Sequence, residues 1–91
     1  MAKFLMFRTP EKMIEHFCEH GAETKCETAE EYLISANAVI QNPESQSKYE
    51  TDEDDKDKIY YLSETGEIVF VSMEGYIRTY FIADDEYFER Q

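Results

Sequence analysis

Apolar residues recur along residues 10–20 at helical spacing: Met13, Ile14, Phe17 and Cys18 fall at i, i+1, i+4 and i+5. Thr9-Pro10-Glu11 opens this helix, with threonine as N-cap, proline at the first helical position and an acid in the first turn. The pattern predicts a helix to His20, closed by Gly21 as a left-handed cap. On this stripe Cys18 is expected to be a core thiol. A second stripe, Tyr32, Leu33, Ala36, Val39 and Ile40, follows Thr28-Ala29-Glu30-Glu31, a capping box with glutamate three residues after threonine. Asn42-Pro43 stops it near Gln41, and the short link between the stripes predicts a helical hairpin.

Past Pro43 the helical period disappears. Residues 44–58 carry one candidate core residue, Tyr49, and read as a solvated, mobile loop. Its acids do not fit a calcium loop, because the alternation fails at Lys56 and the required glycine is missing. Three strand signals follow. Ile59-Tyr60-Tyr61-Leu62 turns through Ser63-Glu64-Thr65-Gly66 into residues 67–72, and Met73-Glu74-Gly75 leads into residues 76–82. The tail, residues 84–90, suits one helical turn with Tyr87 and Phe88 tucked back. Residues 3–7 are an apolar run suited to an edge strand or to covering the core. The expected architecture is α+β in one domain over residues 1–91: an N-terminal helical hairpin on a three-stranded antiparallel β-meander, four-stranded if residues 3–7 join it.

Composition adds a packed core but few function classes. Of 91 residues, 42% are hydrophobic and 14% aromatic, enough for one core despite 33% charged residues. No apolar run approaches the roughly 18–20 residues of a membrane span, and residues 1–7 lack a signal-peptide cleavage site. A cytoplasmic protein without a membrane partner is expected. Two cysteines, Cys18 and Cys26, make no disulfide framework.

The net charge of −12, from 21 acids and nine bases, argues against a general field-driven nucleic-acid binder. Its distribution leaves room for a local exception. Residues 44–58 hold seven acids and three bases, a net of −4, whereas residues 59–83 hold three acids and one base, a net of −2. Exposed charges beyond a Debye length of about 8 Å are largely screened, so a site on the later strands can be locally neutral or positive.

Candidate chemistry starts at Ile77-Arg78-Thr79-Tyr80-Phe81. Alternation puts Arg78 and Tyr80 on one strand face with Tyr76 and Ile82, and Ile77, Thr79 and Phe81 on the other. An arginine flanked by aromatics on a strand invites an anion. His16 and His20 lie one helical turn apart and face the same way. His16-Phe17-Cys18-Glu19-His20 matches the inverted zinc-protease pattern H-x-x-E-H, but no third ligand is apparent and the chain has little room for a protease cleft, so no metal or cofactor is expected. A histidine, an arginine and a hydroxyl from Thr79 or Tyr80 suit phosphodiester cleavage in RNA. The imidazole would move the proton of the 2′-hydroxyl or of the leaving oxygen, and the guanidinium would hold the phosphate.

Three segments carry a resemblance over most of the chain: His16-Phe-Cys-Glu-His20-Gly21-x-Glu23, Thr28-Ala-Glu-Glu-Tyr32-x-x-x-Ala36, and Gly75-x-x-Arg78-Thr79-Tyr80-Phe81. Together they resemble the barnase/EndoU/colicin/RelE-like RNase superfamily, as found in phage proteins and in C-terminal toxin domains of bacterial competition systems. The resemblance implies an α+β fold and metal-independent cleavage of RNA, often tRNA. By position, His20 matches the histidine of the family's His-Gly pair and His16 the one before it, while Arg78, Thr79 and Tyr80 match its Arg-Thr-Tyr run. It implies His20 as general acid–base group, Arg78 as phosphate clamp, and Thr79 or Tyr80 orienting the substrate.

Two functions are therefore expected in competition. One is an RNA-cleaving, toxin-type or phage-type nuclease domain, with RNA as substrate and a cognate inhibitor as partner. The other is a non-catalytic acidic interaction protein that mimics nucleic acid or binds a basic protein.

Overall fold

The structure is a computed structural model that describes residues 4–50 and 56–91. Helix α1 spans Pro10–His20, and Thr9 caps it by accepting the Lys12 amide at 3.1 Å. Helix α2 spans Ala29–Gln41 and is capped by Thr28, whose hydroxyl accepts the Glu31 amide at 3.1 Å. Strands β1 (Gln46–Tyr49), β2 (Lys58–Leu62), β3 (Glu67–Val71) and β4 (Ile77–Ile82) form one antiparallel meander in the order β1-β2-β3-β4. Helix α3, Asp85–Arg90, follows under an Asp84 cap. Among the described residues, no helix is long and apolar enough to cross a membrane.

The α+β hairpin-on-meander architecture matches the expectation, with one strand more than the three read from the hydrophobic pattern. The fourth is β1, inside the stretch expected to be a solvated loop. Gln46-Ser47-Lys48-Tyr49 is polar and carries no alternation, and Tyr49 stays 57% exposed instead of entering the core. This strand is specified by its backbone pairing with β2, from Gln46↔Tyr61 to Tyr49↔Lys58. The acidic run at 51–55 lies outside the described residues. Of the apolar run at 3–7, Phe7 is buried and makes a single parallel bridge to Ile77 rather than a strand.

Helices cover both faces of the sheet, which is why β3 reads as an unbroken apolar run. Val69 and Val71 face α2 and the N-terminal segment, packing with Phe7, Tyr32, Ala36, Val39, Ile77 and Tyr80. Ile68 and Phe70 face the other way, onto Ile59, Tyr61 and Phe88 of α3. Asn37, buried in α2, holds the N-terminal segment as a strand neighbour would: its side chain accepts the Leu5 amide at 2.7 Å and donates to the Leu5 carbonyl at 2.9 Å.

Two local expectations are corrected. Gly21 is right-handed, with φ −58°, and the left-handed turn out of α1 comes at Lys25, φ 59°. Glycine is needed at 21 for space: a Cβ there would lie 2.6 Å from the Phe17 ring and 2.6 Å from the Phe17 carbonyl oxygen. The buried stripe of α1 is also rotated. Met13, His16, Phe17 and His20, at i, i+3, i+4 and i+7, are its half-buried positions, while Ile14 and Cys18 are exposed. Cys18 is therefore not a core thiol.

Strand β4 departs from simple alternation. Phe70 pairs with Thr79 and Val71 with Ile77, so Arg78 is the extra residue of a β-bulge. The bulge returns Ile77 to the same core as Tyr80 and takes Arg78 off the face it was expected to share with that tyrosine. The outer edge of β4 is covered by side chains and the N-terminal segment: Ile77 donates its amide to Met6 at 2.8 Å, Tyr80 accepts from the Tyr32 hydroxyl at its carbonyl, and Ile82 donates to Glu23 at 2.9 Å. This edge is not open to a second copy.

Candidate active site

The rotation of α1 and the bulge of β4 act together. The first turns His16 toward the sheet, and the second aims Arg78 out of it. Between them opens a cleft of about 460 Å³ lined by Arg8, Lys12, His16, Tyr76, Arg78 and Thr79. Three of the eight basic residues among the described residues thus line one concavity of a protein with net charge −12.

His16 is the titratable group at the inner wall. Its Nδ1 and Thr79 Oγ1 share a hydrogen bond of 3.3 Å, and its ring stacks on Phe7 with centroids 5.6 Å apart. Burial lowers its pKa below the usual 6.5, against the pull of Glu19, so the neutral imidazole is favoured. Thr79 and Phe7 together fix the ring in place, Thr79 from the sheet and Phe7 from the N-terminal segment.

Arg78 is clamped from the opposite side. Its Nε donates to Asp57 at 2.9 and 2.7 Å from the two carboxylate oxygens, and the Asp57 side chain is only 5% exposed against 42% for the arginine. The Arg78 and Arg8 guanidinium carbons lie 5.5 and 5.8 Å from the Tyr76 ring centre, so one aromatic ring stiffens both cations. Lys12 pairs loosely with Glu15 at 3.7 Å, both exposed, an ion pair worth little in water.

The other candidates fall elsewhere. His20 does not line this cleft. Its Nδ1 lies 3.1 Å from Glu23, its Nε2 lies 3.6 Å from Glu19, and its ring packs 5.4 Å from Phe81. The cleft expected to join His20 with Arg78 is lined instead by His16, one turn earlier, because the middle turn of α1 meets β4 at Thr79 and its last turn meets it at Phe81. Tyr80 is fully buried; its hydroxyl donates to Glu67, and burial first, then that carboxylate, raise its pKa. It is a core residue with no face to a substrate.

Arg8, Lys12 and Asp57 are members that the hydrophobic pattern does not signal, whereas Tyr76 stands beside Arg78 as expected. Lys12 and His16 stand at i and i+4 on α1, a spacing legible in the sequence. Asp57 carries no such signal, since it stands 21 residues from its partner inside an acidic run. Chemically, the cleft offers a fixed neutral imidazole beside a group of cations suited to a phosphate diester. The chain matches no protein-family model and no curated protein.

Proposed function

We propose that this chain is a small RNA-cleaving domain of phage or toxin type, with His16 rather than His20 as its proton-transfer group. The supporting observation is the hydrogen bond of 3.3 Å between His16 and Thr79 at the wall of a cleft lined by Arg8, Lys12 and Arg78. With Nδ1–H donated to Thr79, Nε2 carries the lone pair and removes the proton from a ribose 2′-hydroxyl. The 2′ oxygen attacks the adjacent phosphorus, the bond to the 5′ oxygen breaks, and that oxygen leaves with a proton from solvent. The products are a 2′,3′-cyclic phosphate and a 5′-hydroxyl. The three cations stabilise the charge that builds on the phosphate oxygens, while His16 takes the 2′-hydroxyl proton and solvent supplies the one on the leaving oxygen. Among RNAs, tRNA is the first substrate to try, as the resemblance implies.

The test is incubation of the protein with total tRNA in the presence of EDTA. Wild type should cleave and leave cyclic phosphate ends, His16→Ala should lose about 10²–10⁴-fold in rate, and His20→Ala much less. Equal, negligible cleavage by wild type and His16→Ala would overturn the enzymatic reading.

One observation favours the second reading, a non-catalytic acidic binder. The Asp57 carboxylate already occupies Arg78 in the way a phosphate oxygen would. On that reading a basic protein is recovered from a lysate by the wild-type chain and lost when the acids at 52–57 are neutralised. Four of these, Asp52, Glu53, Asp54 and Asp55, lie outside the described residues.

A further inference from the structure

Helix α1 carries a second constellation that cleavage chemistry does not use as a whole. One ligand atom from each of His16, Glu19 and His20 lies within 4.8 Å of the others. The i, i+3, i+4 spacing stacks the three on one face of the helix, and the two imidazoles have centroids 6.4 Å apart and planes 18° from parallel. His20 Nε2 already approaches Glu19 Oε2 at 3.6 Å.

Each ring is also held from behind. Glu23 sits 3.1 Å from Nδ1 of His20, and Thr79 sits 3.3 Å from Nδ1 of His16. Glu23 is itself fixed to the sheet by the Ile82 amide at 2.9 Å. An acceptor behind Nδ1 sets the tautomer, orients the ring and makes Nε2 the better metal ligand. Helical histidines at i and i+4 with no such support swing freely; these two are anchored through α1, the 21–28 link and β4 at once.

We infer that His16, Glu19 and His20 form a binding site for one divalent transition-metal ion of the zinc type, with Glu23 and Thr79 as orienting residues. Two imidazoles and one carboxylate select zinc over calcium or magnesium, which take oxygen ligands. A tetrahedral ion with ligands at about 2.1 Å needs them about 3.4 Å apart, so the set closes by up to about 1.4 Å on binding. The Glu19 side chain, 62% exposed, has the freedom to make that movement, and water completes the fourth position. Glu19 is thus the third ligand missing from a protease reading of H-x-x-E-H: here it binds the ion itself. Such an ion would take the His16 lone pair and, on the reading proposed above, would stop RNA cleavage; the binding does not depend on that reading.

The experiment is calorimetric titration of the metal-free full chain with zinc chloride, without RNA, alongside His20→Ala, Glu19→Gln, Glu23→Gln and Cys18→Ser. Wild type should take up one zinc ion per chain. His20→Ala and Glu19→Gln change exposed or half-exposed side chains and should each weaken binding at least about tenfold, and Glu23→Gln by about 10–100-fold. Cys18→Ser should bind as wild type, and magnesium should not compete. No uptake of zinc, uptake left within twofold by both His20→Ala and Glu19→Gln, or uptake lost in Cys18→Ser would each overturn the site. Because the readout is metal uptake, failure of the RNase reading leaves it standing, and its own failure leaves the RNase reading standing.

Discussion

Arg78 Nε is gripped by both carboxylate oxygens of Asp57, at 2.9 and 2.7 Å, and the acid is almost wholly withdrawn from solvent while the arginine is not. The pair joins the segment before β2 to the bulge of β4 and holds the guanidinium at the mouth of the cleft. It also sets a carboxylate in competition with any anion that enters.

Asp57→Asn keeps the shape and removes that competition. The affinity of the cleft for inorganic phosphate should rise several-fold, read by calorimetry or by shifts of the His16 ring signals. Stability should fall by about 1–2 kcal/mol, at or below the low end of the range for hydrogen bonds to charged groups because Arg78 is partly solvated. For a domain of this size that is a drop of roughly 4–16 °C in melting temperature. Unchanged phosphate affinity would mean that Asp57 does not gate the cleft.

Protonation of His16 should make acid destabilising. Its folded-state pKa lies below the ordinary 6.5, so in the window between the two values the unfolded chain binds the proton more tightly. Stability is therefore full above 6.5 and is lost as pH falls below it. Glu23 acts in the same direction at lower pH. Burial raises its pKa, but the Ile82 amide and His20 outweigh that and leave it below 4.5, so its contribution is present above 4.5 and lost as pH falls through the folded value. Urea midpoints measured on either side of 6.5 should fall more for wild type than for His16→Gln. A variant as acid-sensitive as wild type across that window would dissociate His16 from the effect.

Tyr80→Phe separates a core role from a substrate role. It deletes the hydroxyl that donates to Glu67 while keeping the ring packed 4.9 Å from Tyr32. The expected result is a loss of about 0.5–1.5 kcal/mol, with RNA cleavage per folded molecule unchanged. A tenfold fall in rate at unchanged stability would return Tyr80 to the active site.

Gly21→Ala should destabilise although the backbone there is right-handed, where alanine is ordinarily the better residue. The added Cβ meets the Phe17 ring and carbonyl oxygen at 2.6 Å, so the Phe17 ring or the last turn of α1 must shift. A loss of about 1–3 kcal/mol is expected from overpacking, measured by thermal denaturation. A melting temperature at or above wild type would show that Phe17 yields easily.

Local chemistry accounts for most of the frame. Thr9, Thr28 and Asp84 each cap a helix because a short oxygen-bearing side chain satisfies amides that the helix leaves open. Gly66 and Gly75 turn the chain with φ of 81° and 96°, which other residues resist. These features act within a few residues, so the sequence carries them in plain sight, along with the apolar face of α2 and the strong alternation-free β-propensity of β2 and β3.

What the chain cannot announce locally are effects set by distant partners. β1 is polar and becomes a strand because β2 offers its edge. The bulge at Arg78 depends on how Val71 and Ile77 meet, and it alone takes the arginine away from Tyr80 and toward His16. The rotation of α1 follows from which side packs on Phe7, Tyr32 and β4, choosing the i, i+3, i+4, i+7 set with both histidines over the one with Ile14 and Cys18. The sequence by itself determined the helices, strands β2 to β4 and the residue types available for chemistry; the tertiary structure added β1 and decided which imidazole meets which cation, because those choices rest on strand pairing, register and helix rotation, fixed by burial summed over the whole core.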